Sequence, residues 1–188
     1  MAKTLAPLPE PWPEDIAAML ARYPTSDGYI LSLFRTFAQS KRFLQKGVPN
    51  LLDRESPLPL RVREIVILRV TANFGCGYEW GVHVAIFAKA AKFTEAQVAG
   101  TVQPGGEAPL WAPEEARLIA AVDRLCTRGA LDAELKAAFE ADWTTEQQLE
   151  ILALCGAYHT VSLVANLAGL PHEDFVPADI RAMAPVPA

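Results

Sequence analysis

LRVREIVILRVTANFGCGYEWGVHVAIFAKAA, residues 60–91, is the stretch that decides the fold. Two apolar runs flank a break at Asn73-Phe74-Gly75. At about 100° per residue, Cys76, Glu79, Trp80, His83, Ile86, Phe87 and Ala90 share one helical face, with Lys89, Lys92 and Tyr78 on the other. The lysines mark the solvent side, so a thiol, a carboxylate and an imidazole project toward the apolar side. In the first run Glu64 shares its face with Leu60, Ile67, Leu68 and Thr71, and Arg69 lies opposite. Helices are expected over 60–71 and 76–91. A short break between helices favours antiparallel neighbours, which would bring Glu64 near His83.

Working outward, the pattern stays helical. Pro7, Pro9, Pro11 and Pro13 make an extended arm, followed by a helix over 14–22 and a second from Asp27 to Lys46 that stops at Gly47. A proline-containing linker, PNLLDRESPLP, precedes residue 60. Thr94 with Gln97 and Thr144 with Gln147 form capping-box patterns. Pro113 opens a helix that ends near Gly129, and Asp132 caps another to about Asp142. The longest loop, TVQPGGEAPLWAP (101–113), is the expected lid. No segment alternates with a period of two between hairpin turns. The expected fold is all-α, a compact helical bundle. Residues 1–25 form an arm with a short helix, 26–180 a single helical domain and 181–188 a loose tail.

Composition narrows the function classes. With 51% hydrophobic and 21% charged residues among 188, a sizeable core is available. A net charge of −5 lacks the basic face of a nucleic-acid binder. Cys76, Cys126 and Cys155 are too few and scattered for a disulfide framework, and the N-terminus shows no apolar signal region, so a cytoplasmic protein is expected. Residues 151–171 carry no Lys, Arg, Asp or Glu over a membrane-spanning length. His159, Asn166, Thr160 and Ser162 within them favour a helix buried in a core or a subunit interface instead. On that helix Leu152, Cys155, His159, Ser162, Leu163 and Asn166 form one stripe, whose polar members would join the pocket or meet another subunit.

Taken singly, an inward His or Glu is more often a satisfied core residue than a catalyst, and Cys126 and Cys155 read as structural. The conjunction of two acids, one His and one Cys converging from consecutive helices points to a site. A Glu–His pair in an apolar pocket suits proton transfer near neutral pH. A Cys beside a helix N-terminus and a His suits thiolate chemistry. Glu64, Glu79 and His83 as metal ligands are disfavoured, because Glu79 and His83 stand four apart rather than three. No metal or other cofactor is expected, and no strand carries a phosphate loop.

The stretch LPLRVREIVILRVTANFGCGYEWGVHVAIFAKAAKFTEAQV, residues 58–98, resembles the carboxymuconolactone decarboxylase family, whose relatives include the alkylhydroperoxidase D proteins. The likeness continues through WAPEEARLIAAVDRL and LCGAYHTVSLVANLAGL. In the peroxidase branch a Glu, a Cys-x-x-Cys and a His recur; Glu64, Cys76 and His83 match three of these positions, and Glu79 replaces the second cysteine. The Glu-Trp-x-x-His form matches the decarboxylase branch. The resemblance implies a helical protomer in a ring, a trimer or hexamer, acting on a small carboxylated lactone of aromatic catabolism. It implies His83 as proton donor, Glu79 orienting it, Glu64 as a second acid–base group and Cys76 in the pocket. Arg61 would bind the substrate carboxylate, Trp80 and Phe87 would form apolar walls, and His159 would line the substrate side. The alternatives are a thiol-dependent peroxidase using Cys76 and a non-enzymatic helical oligomer. Neither nucleic acid nor membrane is an expected partner.

Overall fold

The computed structural model describes residues 4–26, 28–103 and 110–187. Among them are ten helices: α1 Glu14–Leu20, α2 Ser32–Phe37, α3 Lys41–Lys46, α4 Leu60–Asn73, α5 Gly77–Phe87, α6 Glu95–Gly100, α7 Pro113–Arg128, α8 Ala133–Asp142, α9 Thr145–Ala168 and α10 Ala178–Met183. One minimal antiparallel hairpin pairs β1 Thr25–Ser26 with β2 Tyr29–Ile30. It is too short to make a layer, so the fold is all-α.

The boundaries follow local chemistry. The Thr94 hydroxyl accepts from the Gln97 N–H at 3.2 Å while the Gln97 side chain accepts from the Thr94 N–H at 3.1 Å, and Thr144 with Gln147 repeats the exchange at 3.3 and 3.1 Å. Asp132 caps α8 by accepting from the Leu135 N–H, and Gly129 ends α7 at φ 69°, the left-handed turn that glycine takes without a Cβ clash.

Three expectations change. The helix from Asp27 to Lys46 is instead the hairpin, α2 and α3; Asp27 itself lies outside the described residues. Ser40 divides it, because its hydroxyl accepts from the Phe43 N–H and so starts a new helix. The helix expected to reach Ala91 stops at Phe87. Lys92 turns left-handed at φ 58° and the Phe93 N–H returns to the Ala88 carbonyl, closing the end. The short α10, behind Pro177, was not expected. The centre of the expected lid, residues 104–109, lies outside the described residues.

α4 is the central element, packed against α5, α7 and α9. Every residue from Arg63 to Thr71 is buried, so this helix has no solvent face. That corrects the placement of Arg69 opposite the core. Its guanidinium, 3% exposed, binds Asp123 of α7 and the carbonyls of Thr101 and Gln103. Tyr78 is likewise buried rather than solvent-facing, donating to Glu173 at 2.6 Å.

α9 is long and apolar enough to cross a membrane by length and composition alone. Its inner face, Ile151, Leu154, Tyr158, Val161 and Ala165, belongs to the core, whereas Leu149, Leu152, Leu163 and Leu167 are exposed. Residues 184–187, expected to be loose, run beside the start of α5; a Cβ on Gly77 would lie 2.7 Å from the Pro185 carbonyl oxygen.

Candidate active site

Three helices meet at one imidazole. α4 supplies Glu64, α5 supplies Glu79 and His83, and α9 supplies Tyr158. The α4–α5 turn places Glu64 against the second turn of α5, as the sequence predicts. His83 Nδ1 lies 2.7 Å from Glu64 Oε2. His83 Nε2 lies 3.0 Å from the Tyr158 hydroxyl and 3.4 Å from Glu79 Oε1. In the charged imidazolium both ring N–H groups therefore find acceptors. The Tyr158 and Phe87 rings flank the imidazole at centroid distances of 5.1 and 5.2 Å.

The cluster is almost closed from solvent: Glu64 is 1% exposed, His83 3%, Glu79 6% and Tyr158 6%. Burial alone pulls the His83 pKa down. The charge and hydrogen bond of Glu64, with Glu79 behind them, outweigh burial and push it up to about 9. His83 is thus an imidazolium at neutral pH. Burial, joined by the charges of Glu79 and Glu64 and opposed by Arg63, holds the Tyr158 phenol well above its usual range, so it keeps its proton.

Cys76 caps the N-terminus of α5 and is fully buried. Burial and the Glu79 charge outweigh its hydrogen bonding with the Glu79 N–H and the Ser162 hydroxyl, and its thiol is pushed up to about 11. Burial likewise raises Cys126 to about 11 and Cys155 to about 12. A helix N-terminus and a nearby His favour thiolate in general, but here burial and the Glu79 carboxylate decide the other way.

Of the expected site residues, Glu64, Cys76, Glu79, His83 and Phe87 come together. Arg61 does not. It binds both oxygens of Glu115, donates to the carbonyls of Ala91 and Lys92, and stacks over Phe93 and Trp111. Its apparent proximity to Glu64 on a helical wheel gave way to a partner from α7. Trp80 is no pocket wall: its indole N–H donates to Thr101 at 2.9 Å and its ring fills a separate core cluster with Leu68, Val84 and Val98. His159 is exposed and stacks on Phe74 at 3.9 Å. The α9 face turned inward differs by about one position from the expected stripe, so Tyr158 takes the place given to His159.

Two residues of the site escaped the sequence reading. Tyr158 was readable, since it stands seven after Ile151 and four after Leu154, at helical core spacing. The other, Arg63, is 8% exposed and sets its Nε 3.5 Å from Glu64 Oε1, without a hydrogen bond. Its signal was an absence: no acid lies three or four residues away on its own helix.

Among the described residues no group of three His, Cys, Asp or Glu side chains is disposed to hold a metal ion. A surface cavity of about 510 Å³, lined by Arg69, Asn73, Asp123, Arg124 and Thr127, shares no residue with the His83 cluster. Its buried cation, Arg69, is already held by Asp123 and the carbonyls of Thr101 and Gln103.

Comparison with solved structures places the chain beside the debrominase Bmp8. The apo crystal structure matches at a TM-score of 0.77 and 14% identity, covering 97% of this chain and 99% of that one. A cysteine-to-alanine variant of Bmp8 in complex with 2,3,4-tribromopyrrole matches at 0.70 and 16% identity, covering 97% and 96%. At these identities the likeness establishes a shared fold. No curated protein sequence matches the chain. The model of the carboxymuconolactone decarboxylase family matches residues 45–123, the span that holds Glu64, Cys76, Glu79 and His83. Over these residues the chain is similar to the carboxymuconolactone decarboxylase family.

Proposed function

We propose that this protein is a cofactor-free acid–base enzyme that returns a proton to a small unsaturated ring compound, with a carboxylated lactone of aromatic catabolism as its substrate class. The observation that carries this reading is the His83 imidazolium, held on Nδ1 by Glu64 at 2.7 Å with Nε2 turned to Tyr158 and Glu79. In decarboxylation the bond to the carboxylate breaks, carbon dioxide leaves, and the electron pair enters the conjugated lactone. The Nε2 proton, directly or through the Tyr158 hydroxyl, then goes to a ring carbon. Glu64 and Glu79 stabilise the charged donor before transfer.

Thiol chemistry at Cys76 is the second reading, favoured by the place of Cys76 at the α5 N-terminus and by the fold shared with a debrominase. The raised thiol pKa ranks it below proton transfer. One experiment separates them: a screen of unsaturated carboxylated lactones, hydroperoxides and bromopyrroles with the native chain, His83→Ala and Cys76→Ser. Loss of lactone turnover by about 10²–10⁴-fold in His83→Ala, with Cys76→Ser active, is expected. Turnover of a hydroperoxide or bromopyrrole that vanishes in Cys76→Ser would replace the acid–base reading.

Self-association is part of the proposal. The exposed leucines of α9 make an apolar face on a helix without a charge between Glu150 and Ala168, which supports a homo-oligomer. Light scattering is expected to give a multiple of 20.5 kDa; a monomer removes this element.

A further inference from the structure

We infer that Arg63 is the anion anchor of the His83 site, holding a carboxylate or equivalent anionic oxygen of the substrate beside the proton donor. The inference rests on the acid–base reading of the pocket and names the residue that recognises the substrate's charge.

Two other arginines of α4 are fully engaged. Arg61 places Nε and one Nη on the Glu115 carboxylate and its other Nη on two backbone carbonyls. Arg69 repeats the scheme with Asp123 and the carbonyls of Thr101 and Gln103. Arg63, with a side chain 10% exposed, lies between Arg61 at 27% and Arg69 at 3%, but its guanidinium makes no hydrogen bond among the described residues. Its one ionic contact, to Glu64 Oε1 at 3.5 Å, is long and off-line. A buried guanidinium Nε without an acceptor is costly, and the planar fork matches a carboxylate in bidentate geometry.

The neighbours say where the anion would sit. Glu64 divides its oxygens, Oε2 on His83 and Oε1 toward Arg63. Glu64 Oε1 and Glu79 Oε2 are themselves buried without a hydrogen-bond partner. The Arg63 guanidinium thus borders the carboxylate that holds His83 Nδ1. An anion on Arg63 is then one carboxylate away from the His83 ring, and a hydroxyl or N–H on the same ligand would satisfy the orphan carboxylate oxygens. A purely structural Arg63, present only as a counter-charge to Glu64, leaves its unpaired Nε unexplained.

The test uses 2-furoate, a small unsaturated oxygen ring with a carboxylate, against the uncharged 2-furamide. Binding to the full chain is read by calorimetry and by the ¹⁵N resonances of His83. 2-Furoate is expected to shift the His83 signals and to bind at least roughly tenfold tighter than 2-furamide, the worth of one charge-assisted hydrogen bond. Arg63→Gln is expected to erase that preference, and Arg63→Lys to restore part of it. The comparison of the two ligands on the unaltered chain needs no variant and stands even where Arg63→Gln fails to fold. Equal affinity for acid and amide, undiminished preference in a folded Arg63→Gln, or no binding of 2-furoate at millimolar concentration overturns the inference. Since the readout is binding, it is independent of turnover: a failed His83 assay with intact anion preference would reject the proton-transfer reading and keep Arg63.

Discussion

Two charged clusters hang from α4, and they are built to opposite rules. At one end the Arg69 guanidinium meets Asp123 and two backbone carbonyls, with Asn73 donating to the same Asp123, and every nitrogen of the guanidinium is engaged. At the other, Glu64, His83, Glu79 and Arg63 are equally buried, yet Arg63 Nε, Glu64 Oε1 and Glu79 Oε2 have no hydrogen-bond partner. The first cluster fastens α4 to α7 and the end of α6. The second keeps binding capacity in reserve. Burial and charge alone therefore do not separate a structural ion pair from a site; the unfinished hydrogen bonding does.

The largest expected effect falls on the finished cluster. Arg69→Met leaves Asp123 and the carbonyls of Thr101 and Gln103 without their donor. A loss of about 3 kcal/mol in urea unfolding is expected, at the low end for such a removal because Asp123 is 20% exposed and keeps Asn73. A loss below about 1 kcal/mol would break the contrast between the clusters.

Next comes the pH response, which belongs to the unfinished cluster alone. His83 is raised from 6.5 to about 9 in the folded chain, so the protonated form is favoured by folding. Its contribution is complete below about pH 6.5 and is lost as pH rises through about 9, an effect on the order of 3 kcal/mol. The arginine of the other cluster does not titrate in this range. NMR titration of His83 measures it directly. Glu64→Gln removes the strongest charge that opposes burial, and the His83 pKa is expected to fall well below 9; a value unmoved by this change would remove Glu64 from its role.

The smallest expected change in stability comes from Tyr158→Phe, about 1 kcal/mol, because Glu79 remains 3.4 Å from Nε2. Turnover should fall far more than stability if the phenol handles the proton. Equal proportional loss of both would make Tyr158 a packing residue.

Legibility differed along the same division. The Glu79–His83 pair and its inward direction were readable because both sit on one short helix whose lysines mark the solvent side. Glu64 was readable through the brief break between α4 and α5. Arg61 misled because wheel position says nothing of Glu115, 54 residues away on α7. His159 misled because both faces of α9 are apolar, so periodicity could not choose the inward one. Arg63 left only a negative signal, because a buried helix accepts polar residues on every side once partners come from other elements.

What the sequence determined by itself is local: an all-α chain, the capped ends of α6, α8 and α9, and a carboxylate–imidazole pair one helical turn apart. These rest on interactions within a few residues, where spacing sets geometry. The tertiary structure alone decided that Tyr158 meets His83, that Arg61 and Arg69 are consumed while Arg63 is not, and that Cys76 is held as a thiol. Each of these depends on which helix packs against which face, and on the balance between burial and neighbouring charge that only that packing creates.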